Sequence, residues 1–404
     1  MSAGEKKRYA LLFFVLPKKS SKELVDIKRP KHRSRTKHWV AGGIFVCFLV
    51  VVYYYRDFVI SVSNRFTEYF TQTYAPNVTS PEVRHIGFLK VHKAGGSSVQ
   101  NVLFRFGLKR HLSFIMPTKD YKFSTYGHVH VDLINNKNGC YDILALHSVF
   151  NKTTYSQVLP SDAVYIAIVR EPLSLMISGA YYHRDVSFVS YLRRVPKENY
   201  IQNLIRYPER YDPNELSLTR NSMAMDFGFP KGFHVTDTER VQNYLSYLDK
   251  QFQFVMIMER FDESMVFLRR LLNWKFEDIL YIPLNANQHK SAEELQLSNT
   301  DRKKFEERNF LDVAIYKHFK NIFLKKLSVA DSEFFAEVDY FKTMRTELEE
   351  FCSSHESAKS FYHIEESRWN SPITVTHLDC DTMKMPELKF IDKIRQIEKQ
   401  GRSR

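Results

Sequence analysis

The chain has 404 residues, 44% of them hydrophobic and 14% aromatic, enough to bury a core in one sizeable α/β domain with appendages or in two small domains. Its net charge of +13 raises nucleic acid as a partner, but residues 1–38 hold 12 Lys/Arg against 3 Asp/Glu, so about +9 of that charge sits in the tail. The mildly basic remainder argues against a nucleic-acid binder and is compatible with a fold that grips an anionic ligand.

Residues 39–55, "WVAGGIFVCFLVVVYYY", carry no charge over 17 positions, with Trp39 and Tyr53 to Tyr55 at the two ends like interfacial anchors. The basic side comes first, so a single-pass type II signal-anchor is expected, with residues 1–38 cytoplasmic and the bulk of the chain lumenal. A cleaved signal peptide fits less well, because the basic region is long and no small-residue cleavage site follows. Asn77 and Asn151 head glycosylation triplets that agree with this topology. Of the four cysteines, Cys47 lies in the apolar run and three would meet an oxidising lumen. Cys352 with Cys380 is the expected pair and Cys140 the free thiol, although the sequence alone leaves the pairing open.

Residues 56–82 read as a polar stem. From residue 83 strands and helices alternate. Residues 85–91 form the first predicted strand, and residues 97–106 a helix with Val99, Val102, Leu103 and Phe106 on one face and Gly107 as its C-terminal cap. Residues 141–146, 163–169 and 252–258 are three further apolar runs of strand length. Near-continuous apolar strands joined by helices predict a central parallel sheet covered on both faces. Pro172 opens a helix that runs to Tyr182, Asp262 is the expected cap of the helix after the fourth strand, and residues 301–327 are helical. Residues 331–404 are expected to be a helical extension of a catalytic domain spanning 83–330.

Two stretches carry chemistry. The turn His92-Lys93-Ala94-Gly95-Gly96-Ser97-Ser98 links the first strand to its helix. Its glycines let backbone approach a ligand, the helix start offers free N–H groups to an anion, Ser97 and Ser98 add hydroxyls, and Lys93 adds a full charge. A nucleotide-triphosphate loop would place its lysine after the glycines, not before them. The second stretch, "REPLSLMIS", leaves another strand end. Arg170 is suited to grip a phosphate bidentately, and Ser178, two helical turns on, to reach a second oxygen.

"FLKVHKAGGSSVQNVLFRFG" resembles the 5′-phosphosulfate loop of the galactose 3-O-sulfotransferases, the family that includes galactosylceramide sulfotransferase. "IVREPLSLMISGAYYH" is similar to that family's 3′-phosphate site, and residues 220–229, 259–274 and 311–319 are supporting segments. The likeness spans roughly residues 84–325. It implies a P-loop-like sulfotransferase fold and 3′-phosphoadenosine 5′-phosphosulfate (PAPS) as donor, bound by Lys93, Ala94, Gly95, Gly96, Ser97, Ser98, Arg170 and Ser178. It also implies no catalytic metal, a galactose-containing glycolipid or glycan as acceptor, and a Golgi location. It leaves a homodimer open. The loop departs from the family's commoner Thr-Ala-Ser-Ser-Thr, and Val149 stands where the family tends to have arginine. A glycosaminoglycan acceptor is therefore the alternative.

Sulfuryl transfer needs a cation at the leaving phosphate, for which Lys93 is placed, and a base near neutral pKa for the acceptor hydroxyl. His147 and His92 both stand at strand ends. The resemblance favours His147 as base and His92 as an orienter of the loop. Other motifs are weaker. His128 and His130 make a poor metal pair, Asp379 and Asp381 form an isolated Asp-x-Asp, and Lys290 in "LNANQHK" reads as a solvated lysine before it reads as a phosphate contact.

Overall fold

The computed structural model describes residue 56 and residues 81–117, 141–284, 297–354 and 360–400. The chain divides into two compact units, Met1–Arg65 and Phe66–Arg404, and the sheet and helices named below belong to the second. Among the described residues no helix is long and apolar enough to cross a membrane. The expected span 39–55 lies outside them, as do Asn77, His128, His130, Cys140 and residues 285–290.

Four parallel strands form the central sheet: β1 (Ile86–Leu89), β2 (Ile143–Leu144), β3 (Val164–Val169) and β4 (Phe254–Ile257), in the order β2-β1-β3-β4. Ile86 stands opposite both Ile143 and Val164, and Ile166 opposite Phe254. Every strand residue except Val164 is buried. That is why these segments read as unbroken apolar runs rather than alternating ones. The chain leaves β1 towards β2 and returns to the other side of β1 as β3, so a crevice opens between the C-terminal ends of β1 and β3, where ligands of open α/β sheets bind.

Helix α1 (Gly96–Lys109) follows β1 and α2 (Pro172–Asp185) follows β3. The apolar face of α1 is as expected, with Val99, Val102, Leu103 and Phe106 in the main core. Gly107 is not its cap: the helix runs on to Lys109, and Gly107 is kept small by the Phe114 ring, which a Cβ would approach to 2.4 Å. Pro172 takes the first helical position of α2 as predicted, and the Glu171 carboxylate accepts from the Leu173 and Ser174 amides. The outer face of α2 (Leu173, Met176, Ile177, Ala180) joins a second, smaller core with Leu204 and Phe305.

Three further expectations differ from the structure. Asp262 does not cap α4 (Phe261–Leu272), which follows the short helix α3 (Ser222–Asp226) and strand β4; it accepts from the Tyr281 hydroxyl at 2.7 Å and pairs with Arg345 at 3.1 Å. The helix expected over 301–327 is two, Asn299–Arg308 and α5 (Phe310–Ser328), because Asn309 turns out of the helix and its Oδ1 accepts from the Asn221 amide at 2.9 Å. The C-terminal extension is not all helical. After α6 (Ser332–Ser353), β5 (Phe361–Ile364) and β6 (Ile373–Thr376) pair antiparallel, and α7 (His377–Met383) and α8 (Glu387–Gln400) follow. Those strands are four residues long and half exposed, so they carry little hydrophobic signal.

The extension is anchored firmly. Glu337 of α6 is fully buried and takes Arg269 Nε at 2.8 Å and Arg270 Nε at 2.6 Å, and Phe334 stacks on Phe267. Cys352 and Cys380 form the expected disulfide, tying α6 to α7. Asp379 of the Asp-x-Asp motif is spent on local structure, since it accepts from Thr376 N and Oγ1 in a capping box.

Candidate active site

The crevice between β1 and β3 is a cleft of about 1100 Å³, its open mouth included, and His92, Lys93, Gly95, Gly96, Ser97 and Ser98 form one wall. His147, Arg170 and Ser178 come to the same cleft from β2, β3 and α2. Of the predicted site residues only Ala94 is absent from the lining; it is fully buried behind the loop.

The loop's geometry follows from its glycines. Gly95 precedes α1 at φ +84°, a left-handed conformation natural to glycine, and a Cβ there would strike Met258 Sδ at 2.3 Å. Gly96 leaves room for the stem of Lys90, whose Cγ would lie 2.8 Å from an added Cβ. Lys93 is itself held at φ +59°, a conformation that non-glycine residues seldom adopt outside specialised sites. Its carbonyl accepts from Arg170 Nη1 at 3.1 Å, which ties the two predicted anion sites together. The Lys93 ammonium sits 3.8 Å above the Tyr182 ring.

The cleft is strongly cationic. Burial, then repulsion from Arg170 and Lys90, lowers the Lys93 ammonium to about 8, with Glu387 pulling the other way. Burial likewise lowers Arg170, opposed by Glu259 and Glu171. An anion entering here would relieve the repulsion among these cations and favour their charged forms.

The two histidines are stacked, ring centroids 4.1 Å apart. The His92 amide donates to Asp226 Oδ2 at 2.7 Å, and His92 Nδ1 lies 2.8 Å from Asp226 Oδ1. A carboxylate only accepts, so Nδ1 carries the proton and Nε2 is left as the basic nitrogen. His147 Nδ1 in turn donates to the Lys90 carbonyl at 3.0 Å, which sets the same tautomer. Asp226 is buried at the end of α3, and that helix is held by Asp312 of α5, which accepts from the Ala224 amide at 2.8 Å.

Asp226, Lys90, Tyr182, His183 and Glu387 complete the site without having been singled out from the sequence. Tyr182 was within reach: it lies one helical turn beyond Ser178, on the same face. Lys90 was a charged residue closing an apolar strand, a signal in itself. Asp226 stands 134 residues from His92, and no local pattern marks it.

A family model described as galactose-3-O-sulfotransferase matches residues 24–373. Galactosylceramide sulfotransferase of Homo sapiens is 28% identical over 320 residues, covering 74% of each chain. Galactose-3-O-sulfotransferase 2 of Mus musculus is 25% identical over 385 residues, 88% of this chain and 92% of its own. Galactose-3-O-sulfotransferase 3 of Homo sapiens is 31% identical over 268 residues, 62% of this chain and 59% of its own.

Proposed function

The chain belongs to the galactose-3-O-sulfotransferase family, and from that premise we propose that it moves a sulfuryl group from PAPS to a galactose hydroxyl, the 3-OH, of a glycolipid or glycan. The observation that carries this reading is the convergence of Lys93, His92, His147, Arg170 and Ser178 on one cleft at the switch point of the sheet. Names of relatives that act on galactose and on galactosylceramide support the acceptor class.

In this reading Arg170 and Ser178 hold the donor's 3′-phosphate, and the start of α1 with Ser97 and Ser98 holds the 5′-phosphosulfate. The acceptor oxygen attacks sulfur. The new O–S bond forms as the S–O bond to the 5′-phosphate breaks, and adenosine 3′,5′-bisphosphate leaves. Lys93 meets the charge that develops on the leaving phosphate, and a histidine Nε2 takes the hydroxyl proton. We assign that proton first to His92. Its buried Asp226 partner is placed to stabilise the imidazolium that forms. His147, favoured by resemblance alone, then stacks on the base and holds its plane.

We further propose a single-pass type II Golgi enzyme, with residues 1–38 cytoplasmic, 39–55 as the anchor, 56–82 as a lumenal stem and the rest of the chain lumenal. The basic tail before the apolar run 39–55 supports this, and the disulfide is of the kind an oxidising lumen maintains.

The test is transfer of labelled sulfate from PAPS by the full chain in detergent, offered galactosylceramide, lactosyl and N-acetyllactosamine glycans, and heparan and chondroitin chains. Label on galactose that falls by about 10²–10³-fold in Lys93→Ala is the expected result. Label on glycosaminoglycans alone would overturn the acceptor, and no PAPS-dependent label on any acceptor would overturn the reaction.

A further inference from the structure

Lys90 is 2% exposed, yet it lines the cleft. Its stem passes beneath Gly96 and its ammonium meets two partners: Gln100 Oε1 at 2.9 Å and Glu387 Oε1 at 2.5 Å. Gln100 belongs to α1. Glu387 comes from the far end of the chain, beyond residue 373 where the match to the family model stops. It is the first residue of α8, where a carboxylate is favoured by the helix dipole.

The backbone that delivers Glu387 is fastened at several points. The Cys352–Cys380 disulfide holds α7 to α6, and Lys384 Nζ donates to the Cys352 carbonyl. Asn101 Nδ2 of α1 donates to the Thr382 carbonyl at 2.9 Å. Phe390, one turn into α8, packs edge-on against Phe104 of α1. A surface helix with an incidental carboxylate would have no need of these attachments to the helix that starts the anion loop.

We infer that Glu387 is a positioning residue of the donor site: by pairing with the buried Lys90 it holds that ammonium, charged, under the loop that receives the 5′-phosphosulfate, and so makes the C-terminal segment a working part of the cleft. The inference rests on the donor reading above. Glu387 does not touch the reacting atoms; it acts through Lys90 and, at longer range, Lys93.

The groups facing Lys90 are Glu387 and Gln100, with Lys93 near it, and the His147 ring donates to its backbone carbonyl. Lys93 faces Arg170, Lys90, Glu387 and the Tyr182 ring. For both lysines burial favours the neutral form, and Glu387 opposes it. Removing the carboxylate should therefore make both deprotonate at lower pH.

The experiment measures affinity of the full chain in detergent for adenosine 3′,5′-bisphosphate, by calorimetry, from about pH 7 to about pH 10, with wild type and variants compared at each pH so that the small residual titration of the ligand's phosphates near pH 7 is common to all. Wild type is expected to lose affinity as pH rises through the lysine range. In Glu387→Gln that loss should begin at least about half a pH unit lower, with Glu387→Asp between the two. A Glu387→Gln curve that superposes on wild type, or one uniformly weaker without displacement along pH, overturns the inference and leaves a plain structural contact. If Glu387→Gln does not fold, Glu387→Asp decides by the same criterion. A wild type that binds no bisphosphate at any pH overturns the donor reading itself, and the inference with it.

Discussion

The loop after β1 and the segment from Cys352 to Glu387 both reach the cleft, the first by local geometry and the second by long-range fastening. The loop takes its shape from a strand, two glycines and a helix start within residues 86–109, and Asp226 and Arg170 bond to it from outside. The C-terminal segment needs a disulfide, a lysine–carbonyl hydrogen bond and an aromatic contact before Glu387 arrives beside Lys90. A site built locally can be lost by one side chain with the fold intact. A site part delivered from afar should fail through stability and charge together.

Three experiments press on that difference. The largest effect is expected at the local side: His92→Ala should lower kcat by about 10²–10⁴-fold, with some loss of stability because the buried Asp226 loses its imidazole partner. His147→Ala should cost less if His92, paired with Asp226, is the base on which His147 stacks. If His147→Ala proves the more damaging at equal stability, the base assignment reverses and the one made from resemblance stands.

On the delivered side, Cys380→Ser should lower stability by about 2–4 kcal/mol in denaturant titration. Affinity for the bisphosphate should weaken as well, since the backbone leading to Glu387 is loosened. Full donor affinity in a destabilised Cys380→Ser variant would show that the extension supports the fold without serving the cleft.

The effect expected to be smallest on activity concerns Asp312, which holds the helix carrying Asp226. Burial, abetted by Asp226, raises its carboxyl from 3.8 to about 7, against the pull of the Ala224 and Met223 amides. A carboxyl whose folded value is raised binds its proton more tightly in the native state. The stability it confers is present below about pH 4 and is lost as pH rises towards about 7. The slope of that loss approaches at most about 1.4 kcal/mol per pH unit. Comparing melting temperatures of wild type and Asp312→Asn at about pH 5 and about pH 7.5 should show a smaller pH dependence in the variant. An identical dependence in both would place the titrating group elsewhere.

How much was legible divides along the same line. The four apolar runs announced the parallel sheet, because strands buried on both faces leave no alternation to misread. Lys93, the glycine pair and Arg170 announced themselves because strand ends in such sheets are where ligands sit. Helix α1 shows both cases within one element. Its apolar face, Val99 to Phe106, follows helical spacing, whereas Gln100 and Asn101 on the opposite side look solvent-facing and are in fact buried. They are covered because Gln100 bonds Lys90 and the Ala145 carbonyl, and Asn101 bonds Thr382.

By itself, then, the sequence determined the sheet, the glycine loop after β1 and the positions of the two histidines, because each follows from period, glycine placement or a strand end. Tertiary structure alone decided that Asp226 would stand behind His92, that the two histidines would stack, and that Glu387 would face Lys90. These are contacts between residues tens to hundreds of positions apart. Packing selects such partners, and buried polar groups are spared their desolvation cost only where the fold brings the partners together.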